Sequence, residues 1–401
     1  MKERPKHILP LIVLSQFAGT SLWFVGNAIL PELKQSFHLS QFAVSQVTSA
    51  VMFGFIAGTL VFAFFSLADR ISPIKLFFFS ALLGAITNLS VAWLATDAAS
   101  LFILRFLTGF FMAGIYPVGM KIAADWFEKE LGKAMGFLVG ALVLGTAFPH
   151  LLKNRDFELP WKSVLYYTSG FAFIGGIVMF LFVGDGPYRK RSGGFQWNAL
   201  QEIFRSKRWR QAAFGYFGHM WELYTFWGFI PVILGLYAHK NGMEINIPLL
   251  SFLIIGIGSI GAVSGGYLSR YWGSARVAAL ALFISGCCCF CSPLAYNLPH
   301  PFFLFFLLLW GFTVVPDSPQ FSTLVAQFAP DHLRGTALTI YNAIGFSITT
   351  ISLLVIDRLF HSQGFLSGKN SFILLGLGAV VGLPGMFRLI RQARLKPVNK
   401  G

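Results

Sequence analysis

Apolar runs of about twenty residues or more, parted by short polar breaks, recur from one end of the chain to the other. A helix rising about 1.5 Å per residue needs roughly 20 apolar residues to cross about 30 Å of hydrocarbon. Twelve runs meet that length, at 8–30, 43–66, 74–95, 100–126, 132–152, 163–184, 211–238, 246–268, 275–297, 301–327, 335–357 and 369–390. The pattern predicts an all-α membrane protein with twelve transmembrane helices. The run at 8–30 follows a basic MKERPKH segment, but it is longer than a signal peptide's apolar region and lacks a small-residue cleavage site, so it reads as the first span.

One long polar segment, Gly184 to Arg210, sits at the midpoint of the chain. It opens with Gly and Pro breakers and ends in a short amphipathic stretch, Trp197 to Arg205, suited to an anionic membrane surface. It is expected to be a cytoplasmic linker (185–210) between two six-helix bundles, 1–184 and 211–401. The halves repeat each other. Gly109 and Pro117 in span 4 recur 202 residues later as Gly311 and Pro319 in span 10, and the segments at 125–137 and 327–339 align at the same offset.

Composition narrows the class. Of 401 residues, 55% are hydrophobic and only 12% charged, about half the charged fraction of soluble domains. The net charge of +15 raises the question of a polyanionic partner, and the placement of the charges answers it. Apart from Arg105, only Lys34, Lys153, Arg155, Lys162, Lys240, Arg358 and Lys369 lie in the loops on the side away from the N-terminus. All other basic residues fall on the terminal side, which places both termini in the cytoplasm of a plasma membrane, expected to be a bacterial inner membrane. Nucleic acid is excluded, because no basic stripe interleaved with stacking aromatics exists outside the spans. The four cysteines, Cys287, Cys288, Cys289 and Cys291, crowd into one span at spacings that suit neither a disulfide framework nor a zinc site.

Several motifs then carry a resemblance. FSLADRISPIK (65–75) resembles the loop signature of the major facilitator superfamily, and GYLSRYWGSAR (266–276) resembles its weaker second copy. RFLTGFFMAG (105–114) is similar to the family's fourth helix, and the segments at 131–136 and 333–337 resemble its starts to helices 5 and 11. Phe65 and Ser72 replace both glycines of the first signature, Pro73 its arginine, and Arg270 the acid of the second copy. The resemblance implies two pseudo-symmetric six-helix bundles around a central cavity that opens alternately to either face, with helices 1, 4, 7 and 10 lining it. It also implies a gating role for Asp69 and Arg70. The Gly-Pro signature of drug antiporters in helix 5 is absent.

Candidate chemistry lies with polar groups inside spans, because an ionised group in hydrocarbon is costly unless it faces water or a partner. Glu222 and Asp317 fall roughly 17 and 15 Å from the near ends of spans 7 and 10, close to the midplane. They are expected to couple transport to protons, with His219 one turn before Glu222 sharing the proton or touching solute. The competing reading is a fixed hydrogen bond to a neighbouring helix. Arg105, roughly 30 Å from the inner end of span 4, is expected either to attract an anionic group of the solute or to snorkel to the outer interface or bond backbone carbonyls in the bundle. Gln16, Thr20, Trp23 and Asn27 make one polar stripe on span 1, which lipid would not reward. Trp310, Thr313 and Gln320 share a face of span 10 with Asp317. Together with Tyr116, Trp221 and Tyr224 these complete the candidate substrate-binding set.

The expected function is secondary active transport of a small organic solute by alternating access, coupled to protons. The alternative is export of amphiphiles or organic cations by the same scaffold. A small-molecule substrate, a proton and membrane lipid are the expected partners of a functional monomer, with no cofactor and no metal. An enzyme is disfavoured, since no Walker loop, H-E-x-x-H or nucleophile elbow occurs and His150 and His332 stand isolated. No nucleotide-binding domain is present to drive an ATP pump, and loops under thirty residues disfavour a sensor with a soluble appendage.

Overall fold

The computed structural model describes residues 5–127, 131–154, 157, 159–189, 199–330 and 333–395. Ten of its helices are long and apolar enough to cross a membrane. The other two spans are special cases. Span 7 lies inside a 35-residue helix, Lys207–Asn241, whose His219, Glu222 and many Trp and Tyr residues make it more polar. Span 1 departs from the single helix expected over 8–30. It runs as Ile8–Thr20, breaks over 21–24, and resumes as Val25–Ala28 and Leu30–Ser36. The helix of span 7 also begins four residues inside the expected linker, directly after the short helix Ala199–Arg205. Trp197 and His332 lie outside the described residues.

Spans 2, 3, 5 and 6 are Ala43–Phe64, Pro73–Leu94, Leu131–Leu152 and Trp161–Phe182. Spans 8, 9 and 11 are Ile247–Trp272, Ser274–Ala295 and Arg334–Phe360, and span 12 joins a 3-10 turn, Gly368–Gly376, to Leu377–Leu395. Spans 4 and 10 are broken at matching places. Span 4 divides into Ala98–Met112 and Tyr116–Trp126, and span 10 into His300–Thr313 and Ser318–Phe328. Pro117 and Pro319 begin the second segments, where a missing N–H costs nothing and the ring excludes continuous helix before it. Span 4 opens on a capping box, in which Asp97 accepts from the Ser100 N–H and the Ser100 hydroxyl accepts from the Asp97 N–H. That bond holds the exposed Asp97 carboxyl below the usual carboxylate range.

Outward-facing side chains such as Trp93, Ile103, Leu181, Ile260 and Phe305 are large and apolar, which water would penalise and lipid does not. Within each half, backbones touch through glycine. A Cβ at Gly109 would meet the Val51 carbonyl at 2.0 Å, and one at Gly311 would meet the Ile254 carbonyl at 2.0 Å, the same contact in both copies. The halves meet along two seams, span 2 against span 11 and span 5 against span 8.

Candidate functional site

The space between the bundles is a chamber with room for about 10 Å³, roughly one water. Tyr116 of span 4 and Val139, Leu142 and Val143 of span 5 form the wall of the first bundle. Tyr216, Met220, Leu223, Tyr224 and Trp227 of span 7, with Val315, Ser318 and Phe346, form the opposite wall. Of the expected substrate set, Tyr116 and Tyr224 are in the lining. Seven apolar neighbours, Val139, Leu142, Val143, Met220, Leu223, Val315 and Phe346, carried no polar signal, so a search for intramembrane polar groups passed over them.

The charged groups stand one layer behind the wall. His219 Nδ1 lies 2.9 Å from Asp317 Oδ1, with both side chains fully buried. The contact is one of distance, since neither Asp317 oxygen nor either His219 nitrogen makes an aligned hydrogen bond among the described residues. Asp317 owes its position to the break in span 10, where it caps the second segment. The His219 ring stacks on Tyr216, which faces the chamber. Glu222 differs in having both oxygens engaged. Trp310 Nε1 donates to Oε1 at 2.7 Å and Ser285 Oγ donates to Oε2 at 3.0 Å. Trp310, a candidate for solute contact, is thus committed to Glu222 and stacks on Phe226.

Arg105 is also committed within its own bundle. Its guanidinium donates to Asn88 Oδ1 at 2.8 Å and to the Leu22 and Trp23 carbonyls at 3.1 and 3.0 Å. Those carbonyls are free because span 1 breaks at 21–24, so a buried fork of donors repairs the break. Of the two readings of Arg105, carbonyl bonding is the one this geometry displays. The polar stripe of span 1 likewise turns into the first bundle. Thr20 Oγ1 donates to the Gln16 carbonyl and Asn27 Nδ2 to Thr48 Oγ1, while the buried Gln16 amide has no hydrogen bond among the described residues. Trp23 reaches the chamber's edge, stacking on Tyr224 and Phe346 at 5.5 Å from each.

Trp221 points away from the chamber and donates to the Leu374 carbonyl of span 12. Thr313 bonds back to the Leu309 carbonyl, and Gln320 is buried. The Asp69 side chain lies outside the described residues, and Arg70 is exposed. The loop between spans 2 and 3 is instead tied to the segment after span 6. Ser72 Oγ donates to Asp185 at 2.7 Å, and Arg189 donates to Asp185 and to the Ile71 carbonyl.

A group that charge reasoning missed closes the face opposite the linker. Asp357, fully buried near the end of span 11, accepts from the Ser45 N–H at 3.0 Å, across the seam at the first turn of span 2. His361 Nδ1 lies 3.3 Å from its other oxygen, and the His361 ring meets Phe42 edge-on. Asn246 donates to Asn154 at 2.5 Å between spans 8 and 5 on the same face. Asp357 is the last residue of the apolar run at 335–357, which reads as a loop-proximal charge in sequence, whereas the helix continues to Phe360.

Two helical repeats packed around a closed central chamber, with buried ionisable groups beside it and apolar side chains outside, define a multi-pass membrane carrier. The chain belongs to the Major Facilitator Superfamily, whose family model matches residues 12–353, and it is a transporter of small molecules, not an enzyme. It is 21% identical to the "Probable galactarate/D-glucarate transporter GudP" of Escherichia coli (strain K12), over 96% of this chain and 95% of that protein. It is 32% identical to "Efflux pump FUB11" of Gibberella moniliformis (strain M3125 / FGSC 7600), over 45% of this chain and 32% of that one. The crystal structure of the human organic anion transporter MFSD10 (TETRAN) superposes with a TM-score of 0.75 at 14% identity, covering 96% of this chain and 100% of that chain. At that identity the likeness is one of fold.

Proposed function

We propose that this chain is a proton-coupled secondary transporter of a small organic solute, working as a monomer in the plasma membrane with both termini in the cytoplasm. The observation that carries the coupling is the sealed Asp317–His219 pair, whose polar atoms lack aligned hydrogen bonds among the described residues. A buried carboxylate left in that condition is costly, and taking up a proton relieves it. Rocking of the bundles would then expose the pair to one face for loading and to the other for release. Glu222 is the weaker partner in this reading, because Trp310 and Ser285 already satisfy both of its oxygens.

The sugar acids in the name of the E. coli relative support uptake of a polar solute. The commitment of Arg105 inside its own bundle favours the second reading, movement of amphiphiles, because it removes the one intramembrane arginine from solute binding. Reconstituted vesicles under an imposed pH gradient test the coupling. The wild type should concentrate its solute, and Asp317→Asn should still exchange solute across the membrane but only to equilibrium. Concentration by both Asp317→Asn and Glu222→Gln would overturn the assignment.

A further inference from the structure

Among the described residues no Asp, Glu, Lys, Arg or His side chain lines the chamber. Arg105 is spent on Asn88 and two carbonyls, and His219 lies against Asp317 behind the Tyr216 ring. A carboxylate brought into this space would give up its hydration with no counter-charge among the described lining residues. A sugar diacid would bear that cost twice.

The wall instead has two chemical halves. Val139, Leu142 and Val143 give the span 5 side an aliphatic surface. Across from them, span 7 presents Tyr224 and Trp227, with Tyr224 held by its stack on Trp23. Trp227 is fully buried, yet its Nε1 has no hydrogen-bond partner among the described residues. The buried Trp23 and Trp209 indoles are likewise unpartnered, but of the three only Trp227 lines the chamber, so its donor is the one beside the space a solute would enter. Val139, Leu142 and Val143 belong to the first bundle and Tyr224 and Trp227 to the second, so a solute that touches both groups is released when the bundles part.

We propose that the chamber binds an uncharged amphipathic solute, with an apolar body against span 5 and a hydrogen-bond acceptor taken by Trp227 Nε1, and that it rejects sugar acids. The inference rests on the transporter reading above and narrows its substrate class. It is tested by thermal shift of the purified full-length protein against neutral aryl amides, aryl ketones and aryl glycosides, with galactarate, D-galactonate and tetraphenylphosphonium as charged probes. A neutral compound should raise the unfolding temperature and the charged probes should not. Trp227→Phe, which keeps the ring and removes the donor, should weaken that compound's binding about fivefold, the effect of one neutral hydrogen bond. Val143→Phe, which overfills the aliphatic side, should abolish that compound's binding, with the unfolding temperature of the ligand-free variant read beside it. Stabilisation by galactarate, D-galactonate or tetraphenylphosphonium, silence from every neutral compound, or unchanged affinity in Trp227→Phe would overturn the proposal. Vesicle counterflow separates the two readings: galactarate carried across the membrane sinks the substrate class and leaves the transporter, whereas a neutral ligand that binds without crossing leaves the chamber chemistry and sinks transport.

Discussion

Arg105 holds three acceptors that would otherwise be buried without partners: Asn88 Oδ1 and the Leu22 and Trp23 carbonyls. Replacing it by alanine should therefore act on folding rather than on solute affinity. Arg105→Ala is expected to lower stability by about 3–5 kcal/mol, the range for removing one partner of a buried charged network. Thermal unfolding beside a ligand titration checks this, and an unchanged unfolding temperature with lost affinity would return Arg105 to the solute site. The sequence made the placement of Arg105 within a span legible, because an arginine among Leu, Phe and Ile stands out. What it hid was the acceptor set, since nothing in residues 21–24 marks a helix break except Ser21, and two freed carbonyls leave no trace in side-chain identity. Trp221 and Tyr224 show the same limit. Three residues apart on one helix, they meet different neighbours, the Leu374 carbonyl and the Trp23 ring, and only packing decides which faces the chamber.

Among the elements, the repeat marked by Gly109 and Gly311 turns out to be a repeat of contact. Each sits where a neighbouring span's backbone carbonyl leaves no space for a Cβ. Gly109→Ala and Gly311→Ala should each cost about 1–3 kcal/mol through forced separation of spans 2 and 4, or 8 and 10. Gly170→Ala, with open space at the Cβ position, should be neutral or mildly stabilising. Equal unfolding temperatures for all three would show that the close approaches are not needed. The spans themselves were readable because lipid demands long apolar runs; the breaks in spans 4 and 10 were foreshadowed by Pro117 and Pro319. The broken span 1 was not, because it contains no proline between Pro10 and Pro31.

For the whole molecule, two hydrogen bonds among the described residues tie one bundle to the other on the face opposite the linker, at Ser45–Asp357 and Asn154–Asn246. Asp357→Ala removes the acceptor, and Ser45→Pro removes the donor at a first-turn position where proline is tolerated. Both variants should raise the thiol-reagent labelling of a cysteine placed at Val44, in a background lacking the native cysteines, by severalfold over the same background with the latch intact. The double variant should add little to either single change, since both break one bond. Full additivity, or labelling unchanged by either variant, would mean that Asp357 has no part in keeping that face shut.

The other seam has a different character. Near the linker face, Gly136 of span 5 lies against Ala262 and Gly266 of span 8, and no side chain from Gly136 or Gly266 can key the two helices together there. Such a smooth contact lets one helix roll over the other. Leu152, at the opposite end of span 5, lies about 24 Å from Gly136, so a roll of about 10° at the glycines carries that end through about 4 Å. The swing exceeds the length of the 2.5 Å bond between Asn154 and Asn246 at that end of span 5, so a small angular change at a bare backbone contact is geometrically sufficient to unfasten it.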